Sequence, residues 1–363
     1  MNEEHDFALV PRPPSAVEKA KPGAKRILSS MVMETLTLAK HTQAEPGELA
    51  QEAKSLDEQW NKAAEAGDSE AQFKLGEIHA ARRSPLKDRS GKYVTARNLD
   101  EELCLAFHWF NRAADQGHAQ AQHRVAFCYF IGSGVDQDDG KAFDYLRLAG
   151  SNGCSEAWRI LANRLIFGTL STKPAAQEGF EYMRKAAEAG NGIAGVWLSR
   201  LYRSGRVRQH PQKGDGYVEG IEVAPDVVES TRWLRVAADK GFAEAQVLLA
   251  ECYLDGDGVV QDITKAAMWY RKAAEALSRE EFPYDEYGAT ISLARCYTHG
   301  RGVSKDLAEA FVWLKFGAEA TDDEDTNVEL ASLCSQMSQS ELTEGQNRYQ
   351  QLQQARKKRF DES

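Results

Sequence analysis

An internal repeat constrains the fold of this chain more than any other feature of the sequence. Six segments align on a small residue, used here as an anchor, and they define units 1 to 6: Ala71, Ala121, Ala157, Ala194, Ala245 and Ala289. The anchors of units 2 and 3 are 36 residues apart, and the longer spacings elsewhere indicate insertions. A repeat of this length is typical of proteins built from stacked supersecondary units.

The first half of each unit predicts an amphipathic helix. An apolar residue stands four positions after each anchor, a small residue follows it, and tyrosine stands eight positions after the anchor in four units. Positions separated by four lie on one helical face. Five units then carry glycine eleven positions after the anchor, where a left-handed backbone conformation can end a helix.

The second half of each unit predicts another helix. Its aromatic column reads Trp109, Tyr145, Tyr182, Trp233, Trp269 and Trp313. An acid stands seven positions earlier in five units, as expected of a residue that caps a helix N-terminus. Unit 3 has Ala175 there instead, so we expect a looser turn. One helix pair cannot bury its apolar face alone, whereas stacked pairs can, and the sequence therefore predicts a solenoid.

Unit 5 carries the complete pattern within residues 245–274: Ala245, Leu249, Ala250, Tyr253, Gly256, Gly258, Val259, Asp262, Lys265, Ala266, Trp269, Lys272, Ala273 and Ala274. This string resembles the Sel1-like repeat, and the resemblance covers roughly residues 49–320. It implies an all-α protein, a right-handed α/α superhelix of about six helix-turn-helix repeats with helical caps, related to tetratricopeptide repeats. It also implies a scaffold or adaptor for partner proteins, without naming the partner.

The sequence outside the repeats suggests the remaining organisation. Residues 1–25 form a proline-containing leader, 26–48 an amphipathic helix, 49–67 an N-terminal cap helix, 68–320 the repeats, and 321–363 a helical cap with a basic tail. The leader is either disordered or a linear docking motif built around Arg12, Pro13 and Pro14. A proline-rich segment suits docking because it is already extended and loses little entropy on binding.

Two insertions separate the paired helices of units 1 and 4, at about residues 81–98 and 203–224. Both are basic on a chain of net charge −10, and both occupy the same point of the repeat. They are either solubilising loops or contacts for an acidic partner. The candidate contacts are Arg82, Arg83, Lys87, Arg89, Arg206 and Arg208.

Two columns of the first helices vary between units, at three and six positions after the anchor. In related superhelices the first helices line the concave face, so these columns suggest a groove for a partner. We nominate Arg124, Phe127, Trp197 and Arg200 as contacts. The alternative is ordinary surface or packing between repeats.

The sequence offers no signature of catalysis. The eight histidines do not cluster, no Cys-x-x-Cys pair exists, and the common phosphate-binding and nucleophile motifs are absent. We therefore expect neither an enzyme nor a bound metal or cofactor. The acidic net charge argues against nucleic acid as a partner.

No apolar run approaches 18 residues, so we expect no membrane span. No secretory signal precedes the repeats, and Cys128, Cys252 and Cys296 share one column as small apolar residues rather than as disulfide partners. These features favour the cytoplasm. The competing hypothesis is a secreted or periplasmic repeat protein that acts on a host or on the cell envelope.

Overall fold

The computed structural model describes residues 59–82, 86–87, 93–94, 99–168, 175–208, 217–277, 288–321 and 323–362. The leader, the amphipathic segment 26–48 and the beginning of the expected N-terminal cap lie outside the described residues, as do large parts of both insertions.

Six helix pairs follow one another along the chain, one pair for each unit. Units 1 to 3 contain α1 (Ser69–Arg82) with α2 (Leu99–Asp115), α3 (Ala119–Ile131) with α4 (Asp139–Ser151), and α5 (Ser155–Phe167) with α6 (Ala176–Glu188). Units 4 to 6 contain α7 (Gly192–Ser204) with α8 (Val227–Asp239), α9 (Ala243–Asp255) with α10 (Ile263–Leu277), and α11 (Gly288–His299) with α12 (Leu307–Thr321). The predicted α/α solenoid is confirmed.

The anchors lie in the core of the array. All six have an exposed fraction of 0%. Each helix packs against its neighbours in sequence, so the apolar core runs along the array instead of forming one central cluster. This arrangement follows from helix pairs whose apolar faces are buried only by the next pair.

The second glycine of each Gly-x-Gly-Val turn lets one unit touch the preceding one. A methyl group on Gly134, Gly258 or Gly302 would lie 2.2, 2.3 and 2.2 Å from the carbonyl oxygens of Leu103, Val227 and Ile263, respectively. Each of those carbonyls belongs to the second helix of an earlier unit. The turn therefore needs glycine for contact between units as well as for its positive φ.

The acidic column caps the second helices of units 2, 4, 5 and 6 as expected, whereas Glu102 of unit 1 lies inside α2 and contacts His79 at 2.7 Å. The carboxylates of Asp138, Asp226, Asp262 and Asp306 each accept a hydrogen bond from a backbone N–H two or three residues further on. Ala175 offers no side-chain cap to α6, although its own N–H donates to the carbonyl of Leu165 at 2.8 Å. The turn expected to be looser, residues 169–174, lies outside the described residues.

Each insertion contains a short antiparallel hairpin where the sequence indicated only loops. Strand β1 (Leu86–Lys87) pairs with β2 (Tyr93–Val94), and β3 (Arg206–Arg208) pairs with β4 (Tyr217–Glu222). Ile221 of β4 is 2% exposed and belongs to the same core cluster as Met183 and Trp233. The second insertion thus contributes to the core of units 3 and 4.

Helices cover both described ends of the array. Residues 59–65 are helical, and the fully buried Ala64 accepts a hydrogen bond from Gln72 of unit 1. At the other end α13 (Glu324–Gln336) and α14 (Gln339–Glu362) pack on α12. Arg348 of α14 pairs with Asp306 at 2.9 Å.

Candidate partner-binding surface

Four residues nominated from the sequence lie on the first helices of units 2 and 4. Arg124 and Phe127 belong to α3, whereas Trp197 and Arg200 belong to α7. Both arginines are exposed, and both aromatic side chains are half-buried. The aromatic residues therefore contribute to packing while still offering part of their surface to the outside.

Ion pairs reveal the register between neighbouring first helices. Glu77 pairs with Arg124 at 2.8 Å, and Arg295 pairs with Glu329 at 2.7 Å. In α13 the buried Thr326 takes the anchor position, so that Glu329 stands three positions after it. At both ends of the array, the residue six positions after one anchor thus meets the residue three positions after the next.

We infer from the same register that apolar side chains lie together in the middle of the array. It would place Phe127 of α3 next to Ile160 of α5. Along single helices, Ile131 lies one turn from Phe127, and Ile193 lies one turn from Trp197. We call these five residues the first-helix patch: Phe127, Ile131, Ile160, Ile193 and Trp197. Ile131 and Ile193 are 39% and 48% exposed, so the patch is accessible.

Charged groups border the first-helix patch on both sides. The Glu77–Arg124 pair lies toward unit 1, and Arg200 pairs with Glu244 at 2.7 Å toward unit 5. Unit 5 adds the exposed carboxyl groups of Glu251 and Asp255, one turn apart on α9. Burial, and then the neighbouring charge of Asp255, raise the pKa of Glu251.

An ion pair between a buried arginine and a half-buried glutamate lies beside the first-helix patch and was missed by the sequence reasoning. The Arg159 side chain is only 5% exposed, and its Nε donates to Glu156 at 2.9 Å. Asn191, the N-cap residue of α7, donates to the same carboxylate at 3.0 Å. Burial alone would raise the pKa of Glu156, but the hydrogen bond and charge of Arg159, together with Asn191, lower it.

His123 of α3 belongs to the same neighbourhood. Burial, and then the positive charge of Arg124, lower its pKa. The signal that could have located this cluster is the column two positions after the anchor. Units 1, 4, 5 and 6 carry an apolar residue there, whereas units 2 and 3 carry His123 and Arg159.

The structure separates the insertion candidates from the first-helix patch. Arg206 of β3 faces Glu222 of β4 across the hairpin, with 3.8 Å between the charged groups. Arg82 ends α1, Lys87 pairs with Tyr93 in register, and Arg208 pairs with Tyr217. Arg83, Arg89, Arg12, Pro13 and Pro14 lie outside the described residues.

Within the described ranges, no group of three or more His, Cys, Asp or Glu side chains is arranged to hold a metal ion. The helices that the structure describes include none with both the length and the apolar character needed to cross a membrane. All six cysteines are separate thiols, and four of them are buried.

The chain matches the Sel1 repeat family over more than half of its length, at residues 69–87, 91–118, 119–154, 160–191, 214–242, 243–276 and 289–322. These seven segments correspond to six structural units. The insertion in unit 1 divides that unit into two matches, and unit 4 is matched only from within its insertion to the end of α8.

Individual relatives are more distant. An uncharacterized protein of Neisseria meningitidis serogroup B is 26% identical over 44% of this chain and 39% of its own length. Chitin synthase regulatory factor 3 of Schizosaccharomyces pombe is 27% identical over 51% of this chain and 17% of its own length. The chain therefore spans less than half the length of these curated relatives.

Solved structures with similarity to this chain include a Sel1 repeat protein from Oxalobacter formigenes, with 24% identity and a TM-score of 0.47 over 73% of this chain and 99% of that one. A protective antigen of uropathogenic Escherichia coli has 23% identity and a TM-score of 0.40 over 82% of this chain and 63% of the antigen.

Proposed function

The chain belongs to the Sel1 repeat family, and we propose that it is a non-catalytic scaffold that binds a partner protein on the first helices of units 2 to 4. Sel1 repeat proteins generally mediate protein–protein interactions. The observation that supports this site is the first-helix patch, an apolar surface bordered by ion pairs. Surfaces with an apolar centre and a charged rim are typical of protein interfaces.

The nominated residues have different roles in this proposal. Phe127 and Trp197 are the central aromatic contacts, because both rings are half-buried and Trp197 packs against the core of units 3 and 4. Arg124 and Arg200 form the rim, where their ion pairs with Glu77 and Glu244 set the orientation of the partner.

The basic insertions and the leader are proposed as secondary contacts. Both hairpins emerge between the first and second helices of their units, so they lie at one edge of the array. Arg82, Arg83, Lys87, Arg89, Arg206 and Arg208 would favour an acidic partner surface. Arg12, Pro13 and Pro14 would provide a second docking segment. A shorter chain that lacks residues 1–25 should then lose some of the partners captured by the full chain.

The cytoplasm is the compartment that we propose. Four cysteines are packed as buried thiols at 2–7% exposure within the core of the array. Counting thiols in denatured, unreduced protein isolated from its native cell tests this. Six free thiols support the cytoplasm, and paired ones support the secreted or periplasmic alternative.

The decisive experiment places a charge in the first-helix patch. Ile193→Glu should reduce partner capture, because the partner would have to desolvate a carboxylate against apolar side chains. Val328→Glu is the matched control, since Val328 is 64% exposed on α13, outside the patch. Equal capture by both variants, with unchanged circular dichroism, would refute the proposed site.

A further inference from the structure

We propose that the partner segment received by the first-helix patch has an apolar centre with an acidic residue on each side, and that Arg124 and Arg200 bind those two carboxylates. The inference rests on the proposed function, because it specifies the chemistry of the partner at the same surface. It concerns the first helices of units 2 to 4, α3, α5 and α7, which the structure describes in full.

The three helices that carry the first-helix patch are basic, although the whole chain has a net charge of −10. Together they contain one carboxylate and five arginines, of which one lies on α3, two on α5 and two on α7. The next first helix, α9, has the opposite character, with three carboxylates and no basic side chain. A basic region that ends at unit 5 favours an acidic ligand on units 2 to 4.

The columns three and six positions after the anchor form one path across units 2 to 4. By the register of the ion pairs, the residue six positions after one anchor lies next to the residue three positions after the following anchor. From unit 2 to unit 4 the path therefore reads Arg124, Phe127, Ile160, Asn163, Trp197 and Arg200. An arginine stands at each end beside an aromatic residue, and the residues between the two arginines carry no charge.

Both terminal arginines are more exposed than the carboxylates that pair with them. The side chains of Arg200 and Glu244 are 70% and 35% exposed, and those of Arg124 and Glu77 are 46% and 35% exposed. Each guanidinium is thus held in place by a carboxylate of a neighbouring unit while part of it faces outward. Exposed ion pairs are individually weak, so a partner carboxylate can share the guanidinium or displace its present partner.

The geometry of arginine suits a second carboxylate. A guanidinium has five N–H donors, and Arg200 donates from Nη2 to Glu244 at 2.7 Å. A partner carboxylate can approach other donors of the same group in the bidentate arrangement that arginine favours. Arg124 and Arg200 lie two first helices apart, and packed helices are about 8–10 Å apart, so the segment spans at least about 16 Å, or about five extended residues.

A random peptide library displayed on phage and selected against the full-length chain tests the proposal. Peptides of about twelve residues are long enough, because that length of extended chain covers about 40 Å. We expect the selected peptides to carry Asp or Glu on both sides of an apolar stretch. Selected peptides that are basic or uncharged, or a selection that yields no binding peptide, would overturn the proposal.

The affinity of a selected peptide, measured by fluorescence anisotropy, assigns the contacts. Arg200→Gln should weaken binding by up to about fivefold, the range for exposed ion pairs. Arg200→Glu should weaken it by about tenfold or more, because attraction becomes repulsion. Arg295→Glu is the matched control and should leave binding unchanged, since Arg295 has the same position in unit 6 and pairs with Glu329 at 2.7 Å. Equal effects of Arg200→Glu and Arg295→Glu would contradict the proposal.

Substitutions in the peptide show which carboxylate each arginine binds. When one acidic residue of the peptide is replaced with glutamine, binding should become insensitive to one of Arg124→Gln and Arg200→Gln and remain sensitive to the other. Replacing that acidic residue with arginine should restore binding to the matching Arg→Glu variant. If neither change in the peptide alters the response to either arginine variant, the arginines do not bind those carboxylates.

The two proposals can fail separately. If Ile193→Glu abolishes partner capture while Arg124→Glu and Arg200→Glu leave capture and peptide binding unchanged, the scaffold function stands and the acidic partner segment is wrong. If acidic peptides bind through both arginines while partner capture is insensitive to Ile193→Glu, the site for acidic segments stands and its use as the partner surface is wrong.

Discussion

At the scale of single residues, a glutamine one position after the anchor joins consecutive units. Its side-chain N–H donates to a carbonyl at the end of the preceding second helix at about 3 Å. The three bonds run from Gln72 to Ala64, from Gln122 to Ala114, and from Gln246 to Ala238, at 2.9, 3.0 and 3.1 Å. Because both partners are buried, losing such a bond would leave an unsatisfied polar group in the core.

The side-chain carbonyl oxygen of the same glutamine accepts a hydrogen bond in only two of these three units. Gln116 donates to Gln72 at 2.7 Å, and Asn152 donates to Gln122 at 2.8 Å. Both donors stand seven positions after the aromatic residue of the second helix. Unit 5 has Ala276 at that position, and the Oε1 atom of Gln246 is buried without a partner.

Ala276→Gln should therefore stabilise the protein. The new amide would donate to Gln246, and a hydrogen bond that satisfies a buried acceptor contributes about 1 kcal/mol. Urea denaturation of the variant and the wild type measures the gain. Ala189→Gln is the matched control, since it occupies the same position in unit 3, where Trp158 replaces the glutamine. Because glutamine has a lower helix propensity than alanine, an equal gain at both positions would show that the bond to Gln246 is not its cause.

His123 makes stability depend on pH. Burial and the charge of Arg124 lower its pKa in the folded state, so the unfolded chain binds the proton more readily. Stability is then fully retained above the ordinary histidine pKa of about 6.5 and falls as the pH drops below it. His123→Gln should narrow the difference in urea midpoint between pH 7.5 and 5.5. His108→Gln, on the exposed face of α2, should leave that difference as large as in the wild type.

At the scale of single elements, the Gly-x-Gly-Val turn is the part of the unit that tolerates substitution least. Gly258→Ala should cost about 3 kcal/mol or more, because positive φ penalises a side chain and the methyl group meets a carbonyl at 2.3 Å. Gly241 also has positive φ, but no other group lies within 4 Å of the place that a methyl group would take, so Gly241→Ala should cost only about 1–2 kcal/mol. Thermal denaturation measures the stability of the two variants. Equal losses of stability would show that the contact between units does not cause the larger cost expected for Gly258→Ala.

The helices could be predicted from the sequence wherever an aligned position has the same structural role in every unit. The anchors, the aromatic column and the acidic caps recur because the two helices of each unit pack in the same way. Arg159 and Ile221 could not be placed in this way. Arg159 departs from its column because Glu156, three residues earlier on α5, compensates its charge. Asn191 donates to the same carboxylate, and only the packing between units identifies that contact. Ile221 lies in an insertion without a counterpart in the other units.

The proposed partner-binding surface could be predicted from the sequence only in part. The variable columns lie on the first helices, but which of their residues are neighbours across units depends on the register. That register is visible only in pairs such as Glu77 with Arg124. Ile160 and Ile193 become candidate contacts only because of the residues that the register places next to them. Nothing in the sequence around either residue indicates this role.

At the scale of the whole molecule, each unit packs mainly against the unit before it and the unit after it. The stability of the array therefore depends on how its two ends are covered as well as on the units themselves. A terminal unit has a neighbour on one side only, so an array loosens from its ends unless a cap covers them. Helix α14 covers unit 6 through the buried Tyr349 and through the bonds of Arg348 to Asp306 and Glu309. Its outward residues, such as Glu344, Gln346 and Gln350, are exposed and polar.

Removing α14 should loosen the array locally rather than unfold it as one body. A chain truncated after Ser338 loses the cover over Phe311 and the ion pairs of Arg348, so amide hydrogen exchange should accelerate most in α11 and α12. Exchange in α3 to α6 should change little, because those helices keep both of their neighbours. A chain truncated after Arg356 keeps these contacts and serves as the control. If both truncations accelerate exchange equally in every unit, the array folds as a single cooperative body, and the additive picture of stacked pairs is wrong for this protein.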